Sequence, residues 1–288
     1  MQMTDIRSKQ AHSKRVRGWI RHILLLVTVS ITLYPLLWLV SSSFKPESEV
    51  FTNLGLIPSR VTIDNYQRGW SALEVSFGQF LLNSAIVATL TVVGTVLSAS
   101  LAAYAFAILK PRGARVLFAV VLGSMMLPLH VIIVPQYIIF QELGWVGSYL
   151  PLVVPRFLAT DALYIFIIVQ FMRGIPPSII DAAKIDSAGS WQIYRSIVMP
   201  LAAPALITSG LLSFLYAWND FFSQLIYLSD IRTYTVPVGL RLYLDSLGNS
   251  DFGSVFAMST ISILPVLVVF ILFQRHIVEG VSTTGIRE

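Results

Sequence analysis

Six long apolar runs constrain this 288-residue chain more than any other feature of its sequence. A helix needs about 20 apolar residues to cross the ~30 Å hydrocarbon core of a bilayer, and each run is close to that length or longer. Charged residues make up only 12% of the chain, roughly half the share usual in soluble domains. The sequence therefore predicts an all-α polytopic membrane protein, a single domain over residues 1–288, with six transmembrane helices at about residues 23–42, 81–109, 116–140, 149–172, 201–228 and 255–273. Prolines inside these spans predict bends.

The lysine and arginine residues predict how these helices are oriented. Fourteen of the twenty lie in the basic N-terminus (residues 1–22), the linkers after the second and fourth spans, and the C-terminal tail. Because basic residues accumulate on the cytoplasmic side, both termini are predicted to be cytoplasmic, with the spans in contact with membrane lipid. The first apolar run leads into Ser41-Ser42-Ser43 without a small-x-small cleavage site, which predicts a retained helix and not a cleaved signal.

The sequence carries little of the chemistry that enzymes need. It has no cysteine, and none of its five lysines follows a glycine, so the Gly-Lys-[Ser/Thr] of a phosphate-binding loop is absent. No histidine or carboxylate spacing predicts a metal site, and the positive charge is a topology signal with no nucleic-acid partner expected. His130, six residues after Ser124, leaves an intramembrane serine protease as an enzymatic alternative, although no G-x-S-x-G surrounds that serine. We predict no catalytic centre.

The linker between the fourth and fifth spans, residues 173–200, carries the most informative pattern. Pro177 suits the first turn of a helix, because its missing N–H has no helical partner to lose there. Gly189 is predicted to end that short amphipathic helix and Ser190 to cap the next one, which runs to Pro200. The pattern predicts a helix that lies across the cytoplasmic surface, where small residues allow another protein to approach closely. An ordinary interfacial helix is the alternative.

Two motifs in this linker stand at a spacing that matches a known family. They are Asp181-Ala182-Ala183-x-x-Asp186-Ser187-Ala188 and Ile197-x-Met199-Pro200-x-x-x-Pro204. Together they resemble the EAA loop of ATP-binding cassette (ABC) importer permeases, usually E-A-A-x-x-D-G-A followed by I-x-L-P-x-x-x-P. Asp181 replaces the glutamate on a shorter stem, and Ser187 replaces the glycine of a tight turn, a role that Gly189 is expected to take over. The resemblance implies that the residues coupling the spans to an ATPase are Asp181, Ala182, Ala183, Asp186, Ser187, Ala188, Gly189 and Pro200.

Three further stretches are similar to the carbohydrate-uptake subclass of these permeases. They are Trp218-Asn219-Asp220-Phe221, Tyr234-Thr235-Val236-Pro237-Val238-Gly239-Leu240, and Phe273-Gln274-Arg275-His276 followed by Gly280-Val281. The resemblance implies the type I ABC importer fold with a cytoplasmic coupling helix, in a bacterial or archaeal cytoplasmic membrane. The implied partners are a second permease, usually in a heterodimer, two ATPase subunits that bind ATP and Mg²⁺, and an extracytoplasmic solute-binding protein. This chain is implied to bind no cofactor itself.

Polar side chains within the spans are candidates for a solute pathway, because a bilayer tolerates them where they line a pathway or pair with each other. Arg156 and Asp161 are five residues apart, about 140° around an ideal helix, so a direct pair requires a distortion that Pro155 can supply. Structural pairing and solute contact both stay open for them. The full set is Asn83, Arg156, Asp161, Gln170, Asn219 and Asp220.

The pattern around Asp220 predicts a sugar site. The amide of Asn219 and the carboxylate of Asp220 suit hydroxyl groups, and the rings of Trp218 and Phe221 suit the apolar face of a sugar; Asp161 completes the predicted pathway. The leading hypothesis is therefore a permease subunit of an oligosaccharide importer, with a neutral sugar favoured over a polyanion because the spans hold no concentrated charge. Candidate contacts for the binding protein are Arg232, Arg241, Asp245 and Asp251.

A proton-coupled secondary transporter is the alternative hypothesis. It assigns proton coupling to the carboxylates of Asp161 and Asp220. That hypothesis expects an inverted repeat, which the sequence does not show.

Overall fold

The computed structural model describes residues 2–247 and 251–282, with side chains described for 19–247 and 251–275. Within those ranges the chain is helical and contains no β-strand. The first half holds α1 Gln2–Ser42, α2 Asp64–Trp70, α3 Phe77–Tyr104, α4 Ala114–Ser124, α5 Leu129–Glu142, α6 Leu150–Val153 and α7 Ala162–Arg173. The second half holds α8 Pro177–Ile185, α9 Ser190–Ile193, α10 Met199–Leu201, α11 Ala203–Asn219, α12 Phe222–Tyr227, α13 Val236–Leu247 and α14 Phe252–Ser282.

Several of these helices are long and apolar enough to cross a membrane. Four continuous segments qualify by length and composition: Trp19–Ser42, Phe77–Leu109, Leu150–Arg173 and Phe252–Arg275. Two bent pairs bring the number to six if each is one span: Ala114–Ser124 with Leu129–Glu142, bent by 101°, and Ser190–Leu201 with Ala203–Asn219, bent by 76°. The predicted all-α, multi-span architecture is confirmed, whereas the sharpness of the two bends was not predicted.

The third predicted span, residues 116–140, breaks where its first proline lies. α4 ends at Ser124, and Pro128 with ψ of 135° leads into α5. Proline lacks the N–H that would continue the helical hydrogen bonds, and it disfavours helical geometry in the residue before it. The chain therefore turns between Ser124 and Pro128. Pro135 lies inside α5 without ending it.

The fifth predicted span, residues 201–228, is wrong in its bounds, because the bent pair found there is Ser190–Leu201 with Ala203–Asn219. α11 ends at Asn219, Asp220 is extended with ψ of 107°, and the short α12 follows. The Asp220 carboxylate accepts a 3.1 Å hydrogen bond from the Ser223 amide, so a side chain that the sequence places mid-span instead supports the start of a new helix.

The chain divides into two compact units, residues 1–70 with 246–261, and residues 71–245 with 262–288. In the first unit the buried Asn65 amide donates to the carbonyls of Ser43 and Lys45, both at 2.8 Å. Lys45 is itself fully buried and donates to two backbone carbonyls, and this burial lowers its pKa. The Glu47 carboxylate accepts hydrogen bonds from the backbone amides of Phe252 and Gly253. These amides are at the start of α14, where the first N–H groups have no partner within the helix. The prediction of a single domain stays a prediction.

The second unit is built on α3, which packs against α7 and α11. Small and hydroxyl-bearing residues line α3 from Thr91 to Ala103, and they allow its neighbours to approach closely. At the other end of α3, the buried Phe80 packs beside Tyr243 of α13, and a Cβ on Gly239 would lie 2.5 Å from the Phe80 ring. Burial raises the pKa of Tyr243 to about 12. Glycine at position 239 is therefore what permits α13 to lie against α3.

Candidate coupling loop and transmembrane cavity

The linker of residues 173–200 forms the short helix that the sequence predicts. α8 begins with Pro177 at its first helical position, where the missing N–H is tolerated. One face buries Ile180 and Ala183 in the hydrophobic core of the second unit. The opposite face is exposed and includes Asp181 and Ile185, which is 83% exposed. α8 therefore has one face on the protein and one face free to meet another surface.

The end of α8 is a Schellman turn with serine in the left-handed position. Ser187 has φ of 62°, its amide donates to the Lys184 carbonyl at 3.0 Å, and the Ala188 amide donates to the Ala183 carbonyl at 3.0 Å. Gly189 has φ of −66°, so the expectation that Gly189 takes over the tight turn is wrong. An L-residue pays about 1–2 kcal/mol for this conformation, which explains why the EAA pattern has glycine at this position.

Most of the remaining predicted coupling residues lie on α8 or in the turn that follows it, whereas Pro200 lies in α10. Gly189 occupies the cap position of α9 and Ser190 is the first residue of that helix, with no side-chain cap hydrogen bond, so the prediction that Ser190 caps the helix is wrong. Asp181 pairs with Lys184 at 3.1 Å, but both side chains are more than 60% exposed and contribute little to stability. Of the predicted coupling residues, Ala183 is buried and Ala188 is half-buried. The exposed ones are Asp181, Ala182, Asp186, Ser187, Gly189 and Pro200. Their roles in coupling stay predictions.

Two tyrosines that the sequence reasoning missed fasten this loop to α3. The Tyr104 hydroxyl donates to the Ser190 carbonyl at 2.9 Å, and the Tyr194 hydroxyl shares a 2.8 Å hydrogen bond with that of Ser100. The two tyrosine rings lie 5.2 Å apart. No pattern in the sequence joins them, because their partners are 86 and 94 residues away along the chain.

The second unit also contains a cavity of about 390 Å³ within the predicted spans. Apolar side chains from α5, α6 and α7 form part of its wall. Its polar lining consists of Ser124, Gln136, Arg156, Thr160, Asp161, Tyr164, Tyr216, Asp220, Ser223 and Tyr227. A cavity of this size lined by hydroxyl, amide and carboxylate groups suits a polar organic solute.

An ion pair between Arg156 and Asp161 lies in this wall. The distortion predicted for it is a 3₁₀ turn over Val154–Leu158 followed by Ala159 at φ of 55°, which brings the two side chains together. Asp161 also accepts from Thr95 of α3 at 3.1 Å, and the guanidinium of Arg156 lies 5.2 Å from the centre of the Tyr216 ring. Such pairing compensates both charges inside the membrane.

The five residues of the predicted solute pathway are not all brought together. Asp161 and Asp220 line the cavity, whereas Trp218, Asn219 and Phe221 are not part of its described wall. Trp218 is buried and donates its indole N–H to the Ser262 carbonyl at 3.2 Å. Asn219 donates to a carbonyl of its own helix at 2.8 Å. Their contact with solute stays a prediction.

Other polar residues singled out from the sequence have structural partners. The Asn83 amide donates to the carbonyls of Arg232 and Tyr234 and so holds the loop before α13. The Ser124 hydroxyl donates to a carbonyl of its own helix, and the His130 ring packs against Phe222. Among the residues whose positions are described, no cluster of histidine and carboxylate groups suits a metal ion.

Comparison with known proteins places the chain in a family. Residues 94–283, which include the coupling loop and most of the C-terminal half of α3, match the family of inner-membrane components of binding-protein-dependent transport systems. The chain belongs to this family. It is thus a multi-pass membrane permease, and the match favours the importer over the proton-coupled secondary transporter.

The permease is similar to several curated proteins along nearly its whole length. It is 34% identical to the trehalose/maltose transport system permease protein MalG of Thermococcus litoralis, over 89% of this chain and 92% of that protein. It is also 34% identical to the trehalose transport system permease protein SugB of Mycobacterium tuberculosis, over 91% of this chain and 94% of that one. The resemblance to carbohydrate-uptake permeases is confirmed.

A solved structure shares the fold of the permease. A bacterial ABC transporter involved in the import of the acidic polysaccharide alginate matches with a TM-score of 0.81 and 24% identity, covering 91% of this chain and 97% of that one. The ABC importer permease fold is therefore confirmed.

Proposed function

We propose that this permease is one membrane subunit of an ATP-driven importer of neutral oligosaccharides. It assembles with a second permease, two ATPase subunits and an extracytoplasmic binding protein, in a cytoplasmic membrane with both termini inside. ATP and Mg²⁺ bind to the ATPase subunits, and this chain holds no cofactor and catalyses no reaction. The observation that carries the proposal is α8, which buries Ile180 and Ala183 and leaves Ile185 83% exposed on a family-matched loop.

The exposed face of α8 suits an ATPase surface because it combines small and charged side chains with one large apolar residue. Ala182 leaves room for close approach, Asp181 offers a charge, and Ile185 offers exposed apolar area that a partner surface can bury. Closure of the ATPase subunits then moves the loop, and the spans attached to it open the cavity toward the outside.

The charges of the cavity support a neutral solute. The guanidinium of Arg156 is compensated by Asp161, and Asp220 adds a further carboxylate to the described wall. A polyanion would meet net negative charge there, whereas sugar hydroxyls can both donate to carboxylates and accept from hydroxyl groups. Relatives named for trehalose, maltose and arabinooligosaccharide transport agree with this class.

Uptake into proteoliposomes tests the proposal. The permease is purified together with its partner permease, ATPase subunits and binding protein, and radiolabelled trehalose and maltose are supplied to vesicles that enclose Mg-ATP. We expect sugar to accumulate only with both the binding protein and hydrolysable ATP. The matched controls replace ATP by a non-hydrolysable analogue or omit the binding protein. Sugar uptake that does not require ATP and is abolished by an uncoupler of the proton gradient would contradict the proposal.

A further inference from the structure

Two sets of polar contacts along the C-terminal half of α3 join the helix to the coupling loop and to the cavity wall. Near its C-terminal end Tyr104 donates to the Ser190 carbonyl, and Ser100 shares a hydrogen bond with Tyr194. Earlier in the helix, Thr95 donates to the Asp161 carboxylate at 3.1 Å. One turn on, Ser98 donates to the carbonyl of Arg156 at 2.6 Å. The same helix therefore holds both the coupling loop and the ion pair of the cavity wall.

The stretch of α3 between these levels is a regular α-helix with one buried face. Thr95 and Tyr104 are nine residues apart, which is about 14 Å along the axis at 1.5 Å per residue. The helix is uninterrupted between them, and Thr95, Ala99 and Ala103 are at most 1% exposed. A displacement at the tyrosines is therefore carried along this stretch and not absorbed within it.

Deformable backbone lies immediately beyond the tyrosine contacts. Residues Ala105–Leu109, which follow Tyr104, form a π turn that ends at Lys110 with φ of 49°. A second π turn, Tyr194–Val198, begins at the other tyrosine. The first π turn ends α3, whereas the second lies between the helices α9 and α10, where widened hydrogen bonding is a point at which a helix can bend. The regular helix ends and the irregular backbone begins at the tyrosine pair.

An exposed aromatic side chain leads from the loop surface to this pair. Trp191 of α9 is 64% exposed, and its ring lies 5.1 Å from that of Tyr194. A protein surface that presses on the loop therefore meets Trp191, which is in ring contact with the buried Tyr194.

We propose that α3 is the element that moves the cavity wall when the coupling loop moves, and that Tyr104 and Tyr194 are positioning residues that fasten the loop to it. The inference rests on the proposed function, because it concerns how ATPase closure reaches the Arg156–Asp161 pair. It assigns the transmission to two hydroxyl groups and one helix, so that removal of the hydroxyls uncouples the cavity without removing the loop.

The absence of cysteine from the sequence allows a solute-free test. Ser124→Cys or Ser223→Cys, each on the cavity wall, serves as the single reporter thiol of this chain, in a complete transporter whose other subunits are free of reactive cysteine. Its rate of labelling by a membrane-impermeant maleimide is measured without nucleotide and after trapping with Mg-ATP and vanadate. In the parent protein we expect trapping to change the rate at one or both reporters by roughly five-fold or more.

The double substitution Tyr104→Phe with Tyr194→Phe removes only the two hydroxyl groups. We expect it to retain assembly and ATP hydrolysis while the trapped and nucleotide-free labelling rates converge to within about two-fold. Tyr34→Phe is the matched control, because it also removes a tyrosine-to-carbonyl hydrogen bond, to Leu54 in the first unit, and it should keep the parent response. If the double variant fails to assemble, Ser100→Ala removes the partner of Tyr194 from α3 and should reduce the response by itself.

The opposite results overturn the inference. A full labelling response without the hydroxyls, or no response at either reporter in the parent protein, shows that α3 does not transmit the motion through them. Failure of the proposed function is separate, since it is seen as absent ATP-dependent sugar uptake by the unmodified transporter, whereas the labelling experiment contains no sugar.

Discussion

The amide of Ser187 donates to the carbonyl of Lys184 at 3.0 Å, and this bond closes the turn that ends the coupling helix. The companion bond of the same turn, from the Ala188 amide to the Ala183 carbonyl at 3.0 Å, forms because Ser187 adopts a φ of 62°, a conformation that glycine enters without steric cost. The turn sets the direction in which the chain leaves α8 and reaches Ser190, the residue whose carbonyl Tyr104 holds. The departure of this chain from the family's glycine therefore has a local energetic cost within the coupling loop.

Ser187→Gly should stabilise the coupling loop by about 1 kcal/mol, because it removes the left-handed strain from the turn. Hydrogen exchange of the Ala188 amide, which is bonded to the Ala183 carbonyl, should slow by roughly five-fold. Ser187→Val serves as the counterpart, since a β-branched residue is strained further and exchange should become faster. Equal exchange in all three proteins would contradict the assignment.

Asp181→Lys and Ala182→Trp should each abolish sugar uptake while leaving membrane insertion intact, because both residues are on the exposed face of α8. Uptake into proteoliposomes and the amount of inserted protein are the measurements. Ala183 is a poor choice for this test, because it is buried and a larger side chain would disturb the core. Arg112→Glu is the control, because it reverses the charge of an exposed residue in the linker between α3 and α4. This variant should retain uptake.

Asp161→Asn should destabilise the permease by about 3 kcal/mol or more, because it leaves the guanidinium of Arg156 without its carboxylate in a low-dielectric site. Thermal unfolding of the detergent-solubilised protein measures the loss. Arg156→Gln combined with Asp161→Asn removes both charges and should recover a large part of it. The single variant Arg156→Gln completes the comparison. A stability loss in the double variant that equals the sum of the losses in the two single variants would argue against the ion pair.

Gly239→Ala should cost about 1–3 kcal/mol of stability, because the new methyl group would lie 2.5 Å from the buried Phe80 ring. Gly123→Ala is the matched control, since nothing lies within 4 Å of the position that its methyl group would occupy and alanine is the better helix former. Thermal unfolding of the two variants should move in opposite directions.

Acid should weaken the start of α14 in the first unit. Burial alone would raise the pKa of Asp251, but hydrogen bonds from Arg68 at 3.1 Å and from Ser254 outweigh it and hold the pKa below its ordinary value. A depressed pKa contributes stability that is fully present above about 3.9, the ordinary aspartate value, and that is lost as the pH falls through the lowered one. Exchange of the Ser254 amide, corrected for its intrinsic pH dependence, should report the loss, and Asp251→Asn should remove the acid sensitivity.

Much of this molecule could be predicted from local patterns. The apolar runs identify the spans because crossing a bilayer requires a minimum length, whatever the neighbours are. The α8 helix could be placed from Pro177 and the spacing that follows, since both act within one or two turns. The sharpness of the bend before Pro128 and the break at Asp220 could not, because a proline or an aspartate within a span is compatible with either a continuous or a broken helix until its neighbours are known.

The functional residues likewise include some that a local motif identifies and some that only the fold brings together. The EAA-like motif identifies the candidate coupling loop by its order in the chain, but Tyr104 and Tyr194 find partners 86 and 94 residues away, which no local pattern contains. Trp218 and Asp220 are neighbours in sequence, yet one is buried against Ser262 and the other lines the cavity, because α11 ends between them.

The sequence by itself determined the membrane location, the apolar spans and the family of the coupling loop, because hydrophobic length and local motifs depend on residues near one another. Only the tertiary structure decided that Arg156 and Asp161 pair, that Ser187 and not Gly189 makes the tight turn, and that α3 contacts both loop and cavity wall. Each of these depends on a backbone distortion or on a partner far along the chain. Such contacts are selected by packing of the whole unit and not by the propensity of any one segment.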